Sequence, residues 1–231
     1  MLITEYEYQA IVLSLKVASY TVIWLIPFGI LLGWLLSRKQ FVGKGFVDSA
    51  IHLPLVLPPV VVGYLLLVVM GRKGIIGEWL LNHFGIVFSF NWKGAVLASA
   101  VVALPLMVRS IRLSIDSVDR KLEQAAATLG ASSIKVFFTI TLPLIVPGII
   151  TGTMLAFARS LGEFGATMTF VSNIPGETQT IPLAMYSFIQ TPGDEGQAAR
   201  LCIISIIIAL LSLMASDWFA KHTQRKLGVK K

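Results

Sequence analysis

The chain has 231 residues, of which 55% are hydrophobic and only 13% are charged. A soluble domain carries about 25% charged residues, so the composition predicts an integral membrane protein of one domain. It excludes a cytosolic enzyme, a nucleic-acid-binding module and a disordered tail. The net charge is +7, and in a membrane protein the placement of the basic residues is more informative than their sum.

Five apolar segments are candidates to cross the ~30 Å hydrocarbon core of a membrane as helices, which takes about 20 residues each. They cover residues 11–36, 51–70, 95–108, 136–158 and 201–215. The third segment is the shortest, and the fifth continues to Trp218. Prolines within or beside several of them predict kinked helices. The sequence therefore predicts an all-α polytopic membrane protein with about five transmembrane helices.

The basic residues predict the orientation of these segments. Most of the 19 Lys and Arg residues follow the first, third and fifth segments. They are Arg38, Lys39, Lys44, Arg109, Arg112, Arg120, Lys121, Lys135, Lys221, Arg225, Lys226, Lys230 and Lys231. Because loops rich in Lys and Arg remain in the cytoplasm, we expect the N-terminus outside the inner membrane and the C-terminus in the cytoplasm.

The segment between the third and fourth apolar stretches, about residues 116–135, has the pattern of helix, turn, helix. Ser117 or Asp119 is placed to cap the first helix, and Ser132 or Ser133 the second. Gly130 stands where a helix ends with a left-handed residue. One apolar stripe recurs at helical spacing in Leu122, Ala125, Ala126 and Leu129. Two interpretations are open here: a solvated linker, or a surface that packs against another protein.

The spacing of this segment resembles a known motif. Gln124-Ala125-Ala126, then Gly130, then Ile140 and Leu142-Pro143, is similar to the cytoplasmic "EAA" loop of ABC-importer permeases, which contacts a separate ATPase. Gln124 occupies the position of the motif's Glu, and Glu123 precedes it. The resemblance implies an ATPase-coupling site, in which the polar contact falls to either Glu123 or Gln124. Its residues are Glu123, Gln124, Ala125, Ala126, Gly130, Ile140, Leu142 and Pro143.

Three further segments, residues 52–59, 159–166 and 173–178, resemble the molybdate and sulfate branch of these permeases. With the coupling motif they cover roughly residues 9–217, a transmembrane permease domain, and leave residues 218–231 as a basic cytoplasmic tail. The resemblance implies a type I ABC-importer fold, a homodimer, two cytoplasmic ATPase subunits that bind ATP and Mg, and a periplasmic oxyanion-binding protein. It implies molybdate as the transported anion, with sulfate or tungstate as alternatives.

Motifs for chemistry within the chain are missing from its sequence. It contains no G-x-x-x-x-G-K-[ST] phosphate-binding loop, so ATP hydrolysis is expected on a separate subunit. No cluster of His, Cys, Asp and Glu has the spacing of metal ligands. We therefore expect no catalytic residue, no metal and no cofactor bound by this chain. His52, at the cytoplasmic end of the second segment, is interpreted as a helix-end or interfacial residue.

A Gly-rich, partly polar stretch follows the fourth apolar segment and is the predicted translocation path or gate. Its residues are Arg159, Ser160, Gly162, Glu163, Gly165 and Thr167. Glu163 follows Arg159 by four residues, a spacing that allows an ion pair on a helix. A bare carboxylate would repel a divalent anion by on the order of 4 kcal/mol per charge at ~4 Å. Glu163 is therefore predicted to serve a structural pair or the gate, whereas threonine hydroxyls either pass the anion weakly or bond to their own helix.

Residues 173–199 are predicted to form an acidic external loop on which a soluble partner docks.

Two functions of other classes are alternatives to the permease. An ion-coupled secondary transporter would show inverted repeats and intramembrane acidic residues, and only Glu163 is such a candidate. A membrane enzyme or assembly factor would need a catalytic cluster, which the sequence lacks.

Overall fold

The computed structural model describes residues 3–226, which contain eleven α-helices and no strand. The helices are α1 (Glu5–Arg38), α2 (Lys44–Val56), α3 (Pro59–Met70), α4 (Ile75–Phe84), α5 (Trp92–Asp116), α6 (Arg120–Thr128), α7 (Ser133–Val136), α8 (Leu142–Leu161), α9 (Gly165–Val171), α10 (Ile181–Gln190) and α11 (Glu195–Lys226). A π-helical turn, Phe137–Thr141, joins α7 to α8. The all-α prediction is confirmed. Helix α11 continues through Lys226, and residues 227–231 of the predicted tail lie outside the described residues.

Four helical stretches are long and apolar enough to cross a membrane: α1, α5, the continuous stretch Ser133–Leu161, and Glu195–Ala215 of α11. A fifth span exists only if α2 and α3 are counted together, and these two helices meet at an angle of 117°. The prolines beside residues 51–70 predicted a kink in this segment, and the structure shows a full break between α2 and α3. Leu57 is extended at φ −70° and ψ 141° because Pro58 follows it, and the chain resumes a helix with Pro59 in the first turn.

The long helices α1 and α5 run in the same direction, and α8 runs in the opposite one. At one end of the bundle, the end of α1 meets the end of α5, since Ser37 Oγ hydrogen-bonds to Asp116. We call this the basic end, because Arg38, Lys39, Arg112 and the segment 116–135 lie there. Ser110, late in α5, donates to the carbonyl of Gly148, early in α8, so these two helices are antiparallel. The basic residues that follow the first and third spans therefore share one end of the fold.

The opposite end is closed by a buried ion pair. Glu7 of α1 is fully buried, and its two carboxylate oxygens accept from Arg200 Nε at 2.8 Å and Nη2 at 3.1 Å. The Glu7 side chain also completes a capping box with Thr4 at the start of α1. This pair joins the first turns of α1 to those of α11, so these two helices begin at the same end.

Small residues allow the helices to approach closely, as is usual in membrane bundles. A Cβ on Gly29 would lie 2.8 Å from the side chain of Met107 on α5, and a Cβ on Gly63 of α3 would lie 2.6 Å from the carbonyl oxygen of Ala166. Two apolar clusters fill the bundle, one towards each end, and α5 contributes to both. Helix α5 is therefore the centre of the fold, against which α1, α8, α9 and part of α2 pack.

The predicted external loop at residues 173–199 is partly helical. It contains α10, which begins where the backbone N–H of Ile181 donates to Ser14 Oγ of α1 at 2.7 Å. Asn173 Nδ2 donates to Ser187 Oγ at 2.8 Å and so fastens the preceding turn to α10. Apolar residues three and four positions apart on one face of α10, Ile181, Ala184 and Phe188, pack against α1 and α11. This burial of an apolar face explains why the segment folds as a helix.

Candidate coupling site and translocation path

The coupling segment folds as predicted, as helix, turn, helix. Asp119 caps α6 by accepting from the N–H of Lys121 at 2.9 Å, whereas Ser117 bonds to Ser114 instead. Gly130 adopts φ +85°, and the N–H of Ala131 donates to the carbonyl of Ala126, which closes the helix end. Ser132 caps α7 through the N–H of Lys135.

The apolar stripe of α6 faces away from the rest of the chain. Leu129 is 88% exposed, and Leu122 and Ala125 are exposed as well, while Ala126 is half-buried at the edge of the stripe. We call these four residues the coupling face. No other described part of the chain covers Leu129, and Leu122 is exposed on the same face, so the two leucines form one apolar patch of the kind that marks a protein interface.

Glu123 points in a different direction from the coupling face. It lies about 100° around α6 from Leu122, and its Oε1 accepts from Arg38 Nη2 at 3.1 Å and from Thr141 Oγ1 at 2.7 Å. Arg38 Nη2 also donates to the carbonyl of Val118 at 3.3 Å. We call the triad Arg38–Glu123–Thr141 the clamp. It fastens α6 to the end of α1 and to the base of α8.

Gln124 is exposed and lies on the side of α6 opposite Leu122 and Leu129, where it lines a cavity with Glu123. The two candidates for the polar ATPase contact, Glu123 and Gln124, differ in their partners within the chain. Glu123 already has partners within the chain, and Gln124 is the one of the two whose side chain is free of hydrogen bonds among the described residues. Sequence reasoning missed Arg38 and Thr141, because separations of 85 and 18 residues leave no local pattern to detect.

The remaining motif residues shape the base of α8. Leu142 N–H donates to the carbonyl of Phe137, five residues earlier, which is the bond of a π-turn. Pro143 cannot donate to the carbonyl four residues before it, and the widened turn accommodates its ring. Ile140 and Leu142 are half-buried, and Leu142 packs against the cluster around Met107. Ile140, Leu142 and Pro143 are thus apart from the coupling face on α6. They belong to the continuous helical stretch Ser133–Leu161.

The predicted path residues lie at the other end of α8. Ser160 Oγ is 3.5 Å from Thr21 Oγ1, and Thr21 in turn donates to the carbonyl of Val96. Val96 is four residues after the start of α5. The contact between Ser160 and Thr21 therefore lies about 6 Å along the helix axis from the first residue of α5. Helix α8 ends at Leu161, and α9 starts four residues later at Gly165. The predicted irregular stretch is therefore short, and two helices flank it.

Glu163 is paired with Arg159, as predicted. Arg159 Nη1 lies 2.7 Å from Glu163 Oε2, and the Glu163 side chain is 1% exposed whereas that of Arg159 is 29% exposed. Glu163 Oε1 accepts from the N–H of Ala166 at 2.8 Å, in the first turn of α9. The carboxylate therefore joins the end of α8 to the start of α9, a geometry that favours the structural role.

The path hydroxyls bond mainly to their own helices. Thr167 Oγ1 donates to the carbonyl of Phe164 at 2.9 Å, and Thr151 and Thr169 each donate to the carbonyl four residues before them. A cavity of 480 Å³ adjoins the break between α8 and α9 and is lined by Gly162, Phe164 and Tyr186 among others. A Cβ on Gly165 would lie 3.0 Å from the Cβ of Pro59, the first residue of α3. Helix α3 therefore closes the other side of the break.

Helix α2 is attached to α5 by a second polar cluster at the basic end. Asp48 Oδ2 lies 2.9 Å from Arg112 Nη1, and Arg112 also approaches Asp116. His52 Nδ1 contacts the backbone oxygen of Asp48 at 2.8 Å, four residues earlier on the same helix. His52 lies within α2, four residues before its last residue Val56, so its interpretation as a helix-end residue is wrong. Among the described residues 3–226, no group of three or more His, Cys, Asp or Glu side chains could hold a metal ion.

We expect the Arg159–Glu163 pair to behave as one unit. Arg159→Gln leaves the buried carboxylate uncompensated and should destabilise the protein by about 2 kcal/mol, less than a fully buried pair because Arg159 is partly exposed. Glu163→Gln should cost less, because an amide oxygen can still accept from Ala166. Thermal unfolding of the detergent-solubilised chain measures both effects. Arg72→Gln, which neutralises an exposed arginine with no ion pair among the described residues, is the control. The double variant should be milder than the sum of the singles, and additive losses would contradict the coupling.

Comparison with known proteins agrees with this architecture. The sequence matches the family "Binding-protein-dependent transport system inner membrane component" over residues 26–229. It is 65% identical over 228 residues to "Molybdenum transport system permease protein ModB" of Escherichia coli, covering 99% of this chain and 100% of that one. A Mycobacterium tuberculosis protein of the same name is 38% identical over 93% of this chain and 80% of its own length.

Solved structures show the same fold at low identity. A bacterial alginate ABC transporter in complex with its periplasmic protein superposes with a TM-score of 0.74 at 19% identity, covering 98% of this chain and 81% of that chain. The MetNI methionine ABC transporter superposes with a TM-score of 0.67 at 13% identity, covering 94% of each chain. From the family match and the full-length similarity, the chain belongs to the binding-protein-dependent transport system inner membrane components, the multi-pass permeases of ABC importers.

Proposed function

We propose that the chain is the membrane-spanning permease subunit of an ATP-driven importer that carries molybdate into the bacterial cytoplasm. The observation that carries the proposal is the 65% identity over essentially the whole length to a molybdenum transport permease. A probable sulfate transport permease of Chlorella vulgaris is 34% identical over 91% of this chain. The difference in identity favours molybdate over sulfate, while tungstate has the same shape and charge and is tested below.

The basic end of the bundle would face the cytoplasm, with a second copy of the chain completing the pore. Two ATPase subunits, which bind ATP and Mg, would pack against the coupling face, because Leu122 and Leu129 are exposed there. A periplasmic oxyanion-binding protein would dock at the opposite end, near α10. The permease itself is not an enzyme and contributes no catalytic residue to ATP hydrolysis.

The mechanism follows from the continuity of the helical stretch Ser133–Leu161. A displacement of α6 reaches α1 and α8 directly, because the clamp joins all three. The far end of that stretch carries Arg159 and ends beside Glu163, at the break between α8 and α9. Tilting α8 would therefore move the break and open or close the path. The Arg159 charge offsets that of Glu163, so this pair would neither trap the passing anion nor strongly repel it.

Uptake measurements test the proposal. In bacterial cells that lack their own molybdate importer, this chain with its ATPase and binding protein should restore accumulation of labelled molybdate at nanomolar concentration. Excess tungstate should compete, whereas equal sulfate should not. Purified permease alone should hydrolyse no more ATP than a mock preparation. Restoration of sulfate uptake with no molybdate accumulation would assign the chain to the sulfate permeases.

The orientation has its own test. Single cysteines at Glu5 and Lys135, in a Cys202→Ala background, report the two ends of the bundle. Glu5 is exposed in the first turn of α1, whereas Glu7 is buried and unsuitable for labelling. A membrane-impermeant thiol reagent should label position 5 in intact cells and position 135 only after the membrane is opened. Labelling of position 135 in intact cells would reverse the orientation.

A further inference from the structure

A polar cavity of 330 Å³ lies beneath α6, on the side that the coupling face does not occupy. Its wall is formed by α6, the end of α1 and the stretch 133–141. Its charged lining residues are Arg38, Lys39, Arg120 and Glu123. Glu123 is already paired with Arg38, and among the described residues neither Lys39 nor Arg120 has an acidic partner. The cavity therefore carries an excess of two positive charges, which suits an anionic group.

An apolar groove of 290 Å³ continues from this cavity along the side of the bundle. It runs between α1 and the stretch 133–138, and it shares Trp34, Ser133 and Phe137 with the cavity. Leu31, Ile134 and Phe138 line the groove with exposed side chains, and Ile134 is 73% exposed. Cavity and groove together form one amphipathic depression, cationic at the basic end and apolar towards the middle of the bundle.

Trp34 marks the boundary between the two parts. It lies one turn before Arg38, about 6 Å along α1, and Lys39 Nζ lies 5.3 Å from the centre of its ring. Tryptophan is enriched where hydrocarbon meets headgroups, and lysine side chains extend from that level into the polar layer. The change from apolar groove to cationic cavity therefore coincides with the edge of the hydrocarbon core.

We propose that an anionic phospholipid binds in this depression, with an acyl chain in the groove and its phosphate in the cavity beside Lys39 and Arg120. Basic pockets between transmembrane helices on the cytoplasmic side are suited to such headgroups. A free phosphate would account for the charges but leave the groove unexplained. The proposal goes beyond the transport function and does not depend on which anion is transported.

The proposed phosphate position places the lipid next to the clamp that joins α6 to α1 and α8. Arg38 lines the same cavity and is part of the clamp, so a bound lipid adds a third element to the contact between α6, α1 and the base of α8. Occupancy would rigidify the junction through which α6 acts on the two long helices. Anionic lipid should therefore raise the thermal stability of the permease more than a zwitterionic lipid of the same chains.

Native mass spectrometry of the full-length permease, alone and with its ATPase bound, tests the site. The probes are phosphatidylglycerol and phosphatidylcholine with identical acyl chains. We expect retained phosphatidylglycerol and little phosphatidylcholine. Removing one surface charge weakens anionic-lipid binding about five-fold, so Lys39→Gln/Arg120→Gln should weaken it about 25-fold. Arg72→Gln/Lys73→Gln at the opposite end is the matched control and should leave binding unchanged.

The groove is tested separately. Leu31→Trp fills it and should also weaken phosphatidylglycerol binding, whereas Ile23→Trp, on an exposed site of the same helix outside the groove, should not. Equal effects of the two tryptophans, or equal retention of both lipids, would overturn the proposal. Displacement of the lipid by millimolar inorganic phosphate would indicate a free-anion site. Loss of the lipid on ATPase binding would assign the depression to the ATPase. Loss of the dimer in Leu31→Trp without loss of lipid would assign it to the second copy of the chain. Either result would overturn the lipid proposal.

Discussion

Gly130→Val should abolish molybdate uptake while the permease remains in the membrane at a normal level. Gly130 has φ +85°, and a β-branched residue adopts that conformation only at a cost of about 1–2 kcal/mol. A Cβ at this position meets nothing within 4 Å, so the effect arises from the backbone and not from a clash. The turn that orients α6 relative to α7 would relax, and the coupling face would no longer be presented correctly to the ATPase.

Gly130→Asn is the matched control, since asparagine tolerates the left-handed conformation and should keep most of the activity. Ala125→Trp should have the same consequence as Gly130→Val by a different route, because bulk on the coupling face blocks packing against a partner. Ala199→Trp, at an exposed alanine of the opposite end, controls for the added side chain. Capture of the ATPase by tagged permease reads out each variant. Normal capture and uptake in both Gly130→Val and Ala125→Trp would make this segment a linker.

Glu123→Gln should separate ATPase binding from transport. The side chains of Arg38 and Glu123 are 10% and 18% exposed, so removing one charge leaves its partner poorly compensated. The coupling face itself does not change, because Glu123 points away from it. We expect ATPase capture near normal and uptake reduced at least about ten-fold, since a loss of about 1.4 kcal/mol in the coupling equilibrium is ten-fold.

Arg38→Gln should act in the same way, and Arg38→Gln/Glu123→Gln should be no worse than either single variant. Lys121→Gln is the control, because it neutralises an exposed charge on the same helix that has no ion-pair partner among the described residues. The readouts are labelled molybdate uptake and ATP hydrolysis by the reconstituted complex. Uptake and hydrolysis that fall in parallel with ATPase capture would show that Glu123 contributes to docking and not to transmission.

Local chemistry made several features of the coupling segment predictable. The Asp119 cap, the left-handed Gly130 and the stripe of α6 depend on residues within one or two helical turns, and the structure has all three. The same holds for Arg159 and Glu163, whose spacing of four residues places them on one face of a helix. Hydropathy located the spans for a similar reason, because the requirement for about 20 apolar residues is a property of the segment itself.

The broken second span marks the limit of hydropathy. Residues 51–70 are apolar throughout, so composition alone indicates one crossing helix, and prolines at 58 and 59 were compatible with a kink as well as a break. The outcome is decided by packing: α3 is held against α9 through the close approach of Gly63 to Ala166, while α2 is held against α5 through Asp48 and Arg112. Those contacts join residues more than 60 apart, and no local pattern encodes them.

The sequence by itself determined that this chain is an all-α membrane protein, which residues form helix α6 with its apolar stripe, and which residues pair at the end of α8, because each depends on composition or on spacing within a few turns. Only the tertiary structure decided that Glu123 fastens α6 to α1 and α8 and that Gln124 lies on the side of α6 opposite Leu122 and Leu129. It also decided that Lys39 and Arg120 meet in one cavity above an apolar groove. The physical reason is the same in each case: an ion pair or a cavity requires side chains from distant segments to converge, and that convergence exists only after α1, α5 and α8 have packed.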